Sequence, residues 1–289
     1  MATLNNGSLL IFVDLGMWKK LLIVTTVTAI GACSPQPYKA TNKVYRTEAK
    51  RWSGVVKAQP DNIAVSAVAP PAWAGTVNFN LRKPNYVIIH HTAQNSCEQT
   101  LRTFTLERTQ VSAHYVICRD GTVHHMLNDY LRAWHGGLSK WGSITDINSI
   151  SIGIELDNNG FEPFDSLQVR SLLVVLDTLK HRYNIPAANF IGHGDIAPRR
   201  KNDPSAQFPW NRLADKGFGL WYGDTARITV PENFSHLQAL RLIGYDLQDT
   251  TAAIQAFKRH FVPGDSLTAP ASLTDGAKKI LVGVMQQAL

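Results

Sequence analysis

Three residues scattered along the chain, His90, His193 and Asp203, restrict its fold more than any other feature. His90 ends the apolar, β-branched run YVIIH at 86–90, which follows Pro84 and Asn85 and reads as a buried strand whose last side chain emerges at a sheet edge. His193 closes a second short run, FIGH at 190–193. Asp203 stands in a loop that Pro198, Pro204 and Pro209 keep from continuing as a helix or an inner strand, so the loop can fold back over a strand end. Two imidazoles and a carboxylate leave a tetrahedral zinc ion one open position, which is how a catalytic rather than a structural site is built. A fold that unites these donors brings two strand ends and a loop together, and the chemistry they share is that of a zinc hydrolase.

The intervening pattern alternates strands and helices. Residues 97–111 suffice for one helix, and over 165–183 Leu172, Leu176, Leu179 and Tyr183 recur at helical spacing with Pro186 just beyond. In the strand SIGIEL at 151–156, Ile152, Ile154 and Leu156 share one face and leave Ser151, Gly153 and Glu155 on the other. A carboxylate in so apolar a strand has either a salt-bridge partner or a chemical role, because buried glutamate is rare unless paired. The Asp120-Gly121 turn predicts a hairpin whose second strand carries His124 and His125, both read as structural. The expected fold is α/β, a mixed central β-sheet flanked by helices. After residue 223 the pattern becomes purely helical, with three short helices at 234–245, 250–261 and 274–287.

Five segments in order, IIHHTA at 88–93, SAHYVI at 112–117, AWHGG at 133–137, SIGIEL at 151–156 and GHGDIAPRRKNDP at 192–204, resemble the type 2 zinc-dependent N-acetylmuramoyl-L-alanine amidases. That family shares its fold with phage zinc-amidase lysozymes and peptidoglycan recognition proteins. The resemblance implies cleavage of the amide between N-acetylmuramic acid and L-alanine, with peptidoglycan and its muropeptides as partners. It implies zinc ligation by His90, His193 and Asp203, with His91 turned to the other face, since adjacent strand residues point opposite ways. It places Glu155 as the general base toward the attacking water and Lys201 as the cation that stabilises the oxyanion. His114 and His135 fall at pocket positions, and His114 either hydrogen-bonds substrate or orients a neighbour. Recognition proteins often lack a glutamate at position 155, so Glu155 favours catalysis over a peptidoglycan-binding protein without turnover. A zinc peptidase cutting within the stem peptide is disfavoured only by the resemblance. The C-terminal helices resemble a peptidoglycan-binding domain, the alternative being a plain helical extension on the core.

At the N-terminus, Trp18, Lys19 and Lys20 precede an uncharged apolar run and then Cys33, which reads as an export signal. IGAC at 30–33 resembles a bacterial lipobox, which implies lipidation of Cys33, and Ser34 after it implies sorting to the periplasmic face of an outer membrane. The domain plan is then 1–33 signal with lipobox, 34–80 tether, 81–222 zinc amidase domain and 223–289 helical domain. Residues 1–16 fit no signal design and suggest Met17 as the true start. The formal charge of +7 suits an anionic wall polymer or lipid surface. Nothing resembles a nucleic-acid motif, so no nucleic-acid partner is expected. With Cys33 assigned to lipid, Cys97 and Cys118 remain, and no disulfide between them is predicted.

Overall fold

A computed structural model describes residues 37–58, 76, 78, 80, 81, 83–262, 264 and 272–289. The expected export signal and Cys33 lie outside the described residues. The chain divides into two units, Met1–Pro71 and Ala72–Leu289.

The first unit holds most of the segment expected as a tether. It contains α1 (Lys39–Lys57), a helix of 19 residues, none of them buried. Polar and basic residues separate its apolar positions.

The second unit begins with β1 (Tyr86–His91), α2 (Cys97–Phe104), β2 (Tyr115–Ile117), β3 (Val123–His125), β4 (Ser151–Leu156) and α3 (Ser166–Tyr183). It continues with β5 (Phe190–Gly192), α4 (His193–Ile196), α5 (Trp210–Ala214), α6 (His236–Ile243), α7 (Thr250–Phe261) and α8 (Asp275–Ala288). The five strands form one mixed sheet in the order β3-β2-β4-β1-β5. Only the β2–β3 hairpin is antiparallel, as its Asp-Gly turn predicts. The predicted helices start where side chains satisfy their free amides: Asp165 caps α3, Ser235 α6, Asp249 α7 and Thr274 α8. Asn184, in the left-handed region, closes α3.

The period of two decides what each sheet face holds. Val87, Ile89, Ile152, Ile154 and Leu156 pack beneath Leu172, Leu176 and Leu179 of α3, and each such fully buried side chain contributes about 1.5–3 kcal/mol. On the opposite face, Ile88 and Ile191 share a core with Leu240, Ile254, Phe257, Leu281 and Val284. The three predicted C-terminal helices are therefore present, but residue 223 starts no separate hydrophobic core. They roof one end of the sheet, and the strand ends beyond that roof carry the site.

Cys97 and Cys118, whose pairing the sequence leaves open, are disulfide-bonded, with Cα atoms 5.4 Å apart. The first residue of α2 settles beside the residue after β2, a closeness that neither local pattern encodes.

Asp129 ties the far edge of the fold together. Its carboxylate accepts from Tyr115 at 2.8 Å, Tyr183 at 2.7 Å and His125 Nε2 at 3.2 Å, which confirms a structural role for His125. Burial alone raises this carboxyl's pKa, but hydrogen bonds from His125, Tyr183 and Tyr115 outweigh burial and hold it below the ordinary value. A depressed folded-state pKa gives stability that is present above the unfolded value, about 3.9, and is lost as pH falls through the folded one. Asp129→Ala orphans two tyrosine hydroxyls and is expected to cost about 3 kcal/mol. Asp129→Asn is expected to flatten the acid limb of stability against pH, measured by urea unfolding from pH 3 to 7. An unchanged acid limb would show that Asp129 does not carry it.

Candidate active site

His90 is the fifth residue of β1 and lies in register with Glu155 of β4, so the two side chains leave the same sheet face beside one another. His193 opens α4 directly after β5, the other neighbour of β1. The site thus forms at the carboxyl ends of three parallel strands, the usual crevice of an open α/β sheet. The loop bearing Asp203 folds back as expected, held by Gly194 N–H donating to Asp203 O at 2.7 Å. His91, turned to the other face, accepts from Ser205 N–H at 3.1 Å and so fixes the same loop from behind.

The three donors converge. His90 Nδ1 lies 2.9 Å from His193 Nδ1 and 3.2 Å from Asp203 Oδ2, and His193 Nδ1 lies 3.0 Å from Asp203 Oδ2. A triangle of three acceptor atoms has too few protons to satisfy itself, whereas tetrahedral zinc with bonds of about 2.0 Å asks for donors about 3.3 Å apart. Burial, reinforced by His193, brings His90 down to about 4, so its ring is neutral and keeps a lone pair. Burial opposes the charge on Asp203, but hydrogen bonds from His193 and His90 prevail and hold it well below the usual carboxylate range. The residues present therefore fit a zinc ion. A second His/Cys grouping, Cys97, Cys118 and His124, has its sulfurs joined in the disulfide and offers no thiolate.

The tautomers follow from what stands behind each ring. His193 Nε2 donates to Gly136 O at 3.2 Å, leaving Nδ1 free for the metal. His90 Nε2 donates to His135 Nδ1 at 3.1 Å, His135 Nε2 to Ser151 Oγ at 3.2 Å, and Ser151 Oγ to Ile147 O at 2.7 Å. His135 is thus buried behind His90, both ring nitrogens engaged with protein groups. Both ring nitrogens of His114 are engaged with backbone groups. It is fully buried, its Nδ1 accepting from Gly153 N–H and its Nε2 donating to Leu131 O, each at 3.0 Å.

Gly153 lies in register with Ile88, against the His135 ring. A Cβ there would overlap the imidazole. Gly153→Ala is expected to displace His135 and weaken zinc binding about 10- to 100-fold, the usual loss when a ligand's backing partner fails. Competition with a fluorescent zinc chelator measures this, and unchanged affinity would remove His135 from the support of His90.

Glu155 Oε1 lies 3.9 Å from His90 Nδ1, and its buried Oε2 has no hydrogen-bond partner. Burial pushes its carboxyl up to about 8, with Asp203 adding and Lys201 opposing. Among the described residues no lysine or arginine forms the salt bridge that was the alternative reading of Glu155. Lys201 is near enough for its charge to act on both Glu155 and His90.

Several supports were not read from the sequence. Arg200 donates through Nε to Leu138 O at 3.1 Å and through Nη2 to Gly136 O at 3.2 Å. Asn148 Oδ1 accepts from His135 N–H and Gly136 N–H. Asp195 accepts from Gly192 N–H at 2.8 Å, Tyr245 hydroxyl at 2.8 Å and His260 Nδ1 at 2.7 Å, which binds α4 to the C-terminal helices. A weak signal existed for Asp195 alone, an aspartate three residues after a glycine that ends a strand.

A family model described as N-acetylmuramoyl-L-alanine amidase matches residues 80–206. The chain is 33% identical over 209 residues to N-acetylmuramoyl-L-alanine amidase AmiD of Escherichia coli K12, covering 61% of this chain and 74% of the relative. The solved complex of E. coli AmiD with anhydro-N-acetylmuramic acid-L-Ala-D-γ-Glu-L-Lys superposes with a TM-score of 0.62 at 26% identity, over 78% of this chain and 97% of that one. The crystal structure of AmpDh3 from Pseudomonas aeruginosa gives 0.66 at 25% identity, over 77% and 99%. Both likenesses cover far more of the chain than residues 80–206, about three-quarters of it. Motif order, fold and relatives agree, and the chain belongs to the N-acetylmuramoyl-L-alanine amidases, hydrolases of the amide bond between N-acetylmuramic acid and L-alanine in peptidoglycan.

Proposed function

We propose that this chain performs its amide hydrolysis with one zinc ion held by His90, His193 and Asp203, with Glu155 as general base and Lys201 as oxyanion stabiliser. The observation that carries the proposal is the unpartnered Oε2 of the buried Glu155 carboxylate beside a buried triangle of three candidate metal donors. When bound, zinc supplies Lewis-acid activation of water at neutral pH. Lys201 favours the Glu155 carboxylate over the protonated form that burial promotes, and a dication held by the three donors would add to that. Glu155 takes a proton from the attacking water as the new C–O bond forms, and Lys201 balances the charge that grows on the carbonyl oxygen. Glu155 then returns the proton to the departing α-amino group of L-alanine as the C–N bond breaks. His135 and Gly136 keep the ligand rings in the tautomers this requires.

E. coli AmiD was solved with an anhydromuramyl peptide, and its likeness to this chain supports muropeptides of that type among the substrates. The lipobox supports attachment through Cys33 at the periplasmic face of an outer membrane, with wall turnover as the setting. Mass analysis of products released from purified peptidoglycan, with zinc and separately with a chelator, tests the reaction. Free stem peptides beginning with L-alanine are expected with zinc and absent under chelation. Shortened stems still joined to muramic acid would refute the proposed bond.

A further inference from the structure

We propose that α1 is an interfacial helix that lies on an anionic lipid surface, its apolar face in the headgroup boundary and its basic face toward the phosphates. At about 100° per residue, Val44, Tyr45, Trp52, Val55 and Val56 fall within an arc of about 120° on the helix Lys39–Lys57. Lys39, Lys43, Arg46, Lys50 and Lys57 fall within about 60° on the opposite side. The apolar stripe is uncovered, with Trp52 50%, Val44 62%, Val55 57% and Val56 75% exposed. The one acid, Glu48, sits among the apolar residues and is paired with Arg51 at 2.8 Å, and the Arg51 guanidinium lies 4.4 Å from the centre of the Trp52 ring. The acid therefore does not break the apolar stripe.

A helix with low net hydrophobicity, a wide apolar arc bearing tryptophan and a lysine-rich back has the composition of a surface-bound rather than a spanning helix. Among the described residues no helix is long and apolar enough to cross a membrane. Charge complementarity selects the occupant. Five cations on one stripe match a sheet of phosphate headgroups, each contributing about five-fold in partitioning. A neutral protein groove would leave them without counter-charge. The inference requires neither acylation of Cys33 nor zinc. It adds an orienting contact that a lipid anchor, free to swivel, does not supply.

The test uses the full chain with Cys33→Ser, so that the single thiol introduced by Val44→Cys, Val55→Cys, Lys43→Cys or Lys50→Cys takes an environment-sensitive fluorophore. Vesicles contain phosphatidylcholine alone or with about one-third phosphatidylglycerol. The labels at 44 and 55 are expected to shift to the blue and to be quenched several-fold more strongly by lipid-borne nitroxide than those at 43 and 50. The contrast should grow with anionic lipid and fade in 0.5 M salt, where the Debye length is only about 4 Å. Lys43→Gln with Lys50→Gln is expected to weaken the contrast about 30-fold in lipid concentration. Equal aqueous quenching on both faces would overturn the proposal. So would shelter of labels 44 and 55 without vesicles, meaning that α1 covers another part of the protein, or shelter by purified peptidoglycan alone.

Discussion

Glu155→Gln is expected to lower kcat by about 10² to 10⁴ while one zinc per chain remains bound. The amide matches the carboxylate in volume and cannot take a proton, so the change isolates the base. Glu155 lies beside the donor triangle but outside it, with Oε2 unpartnered, so zinc has no ligand to lose. The variant should be at least as stable as the parent, because a neutral amide is cheaper to bury than a carboxylate whose pKa burial has already raised to about 8. Muropeptide turnover with zinc content from atomic emission decides the matter. Activity within ten-fold of the parent would remove Glu155 as the base.

The second large effect is at Asp203. Asp203→Ala is expected to remove hydrolysis altogether and to weaken zinc binding by more than about 100-fold, beyond the loss caused by disturbing a group behind a ligand. The carboxylate both donates to the metal position and holds the two imidazoles, at 3.2 Å from His90 and 3.0 Å from His193. Without it the rings keep their outer hydrogen bonds to His135 and Gly136 but lose the anion that balances the cation. Melting with chelator present controls for folding, since in that condition the variant should differ little from the parent. Zinc retained at parental affinity would show that the third ligand lies elsewhere. The two substitutions thus separate a group that holds the metal from one that works beside it.

Much of this was legible in the sequence because it is written in local pattern. The strands at 86–91 and 151–156 announce themselves by alternation and β-branching, and α3 by Leu172, Leu176 and Leu179 at helical spacing. The five motifs carried His90, Glu155, His193 and Asp203 to their places. What stayed hidden depends on contacts between distant segments. Whether the His135 ring faces a cleft or backs His90 is set by Gly153 in the facing strand. The disulfide joins Cys97 and Cys118 across a helix and a strand with no shared period. Asp195 meets Tyr245 and His260 from 50 and 65 residues away. The helix α1 is hidden for a different reason: the segment mixes polar, basic and apolar residues and reads as a tether without sustained periodicity, and its stripe of five cations is alien to a core.

The Asp195 clamp sets an order of events. His193 stands at the head of α4, and the residue that pins α4 is gripped by Tyr245 and by His260 of α7, two side chains from the last fifth of the polypeptide. A chain made or threaded through a membrane from its amino end displays all three metal donors long before those partners arrive, and until then Ile88 and Ile191 also lack their cover. The placement of His193 thus leans on side chains that lie 50 and 65 residues beyond Asp195. Truncation ahead of α7 is therefore expected to loosen α4 and His193 with it, and unchanged zinc affinity in such a chain would show that α4 holds its place without the clamp.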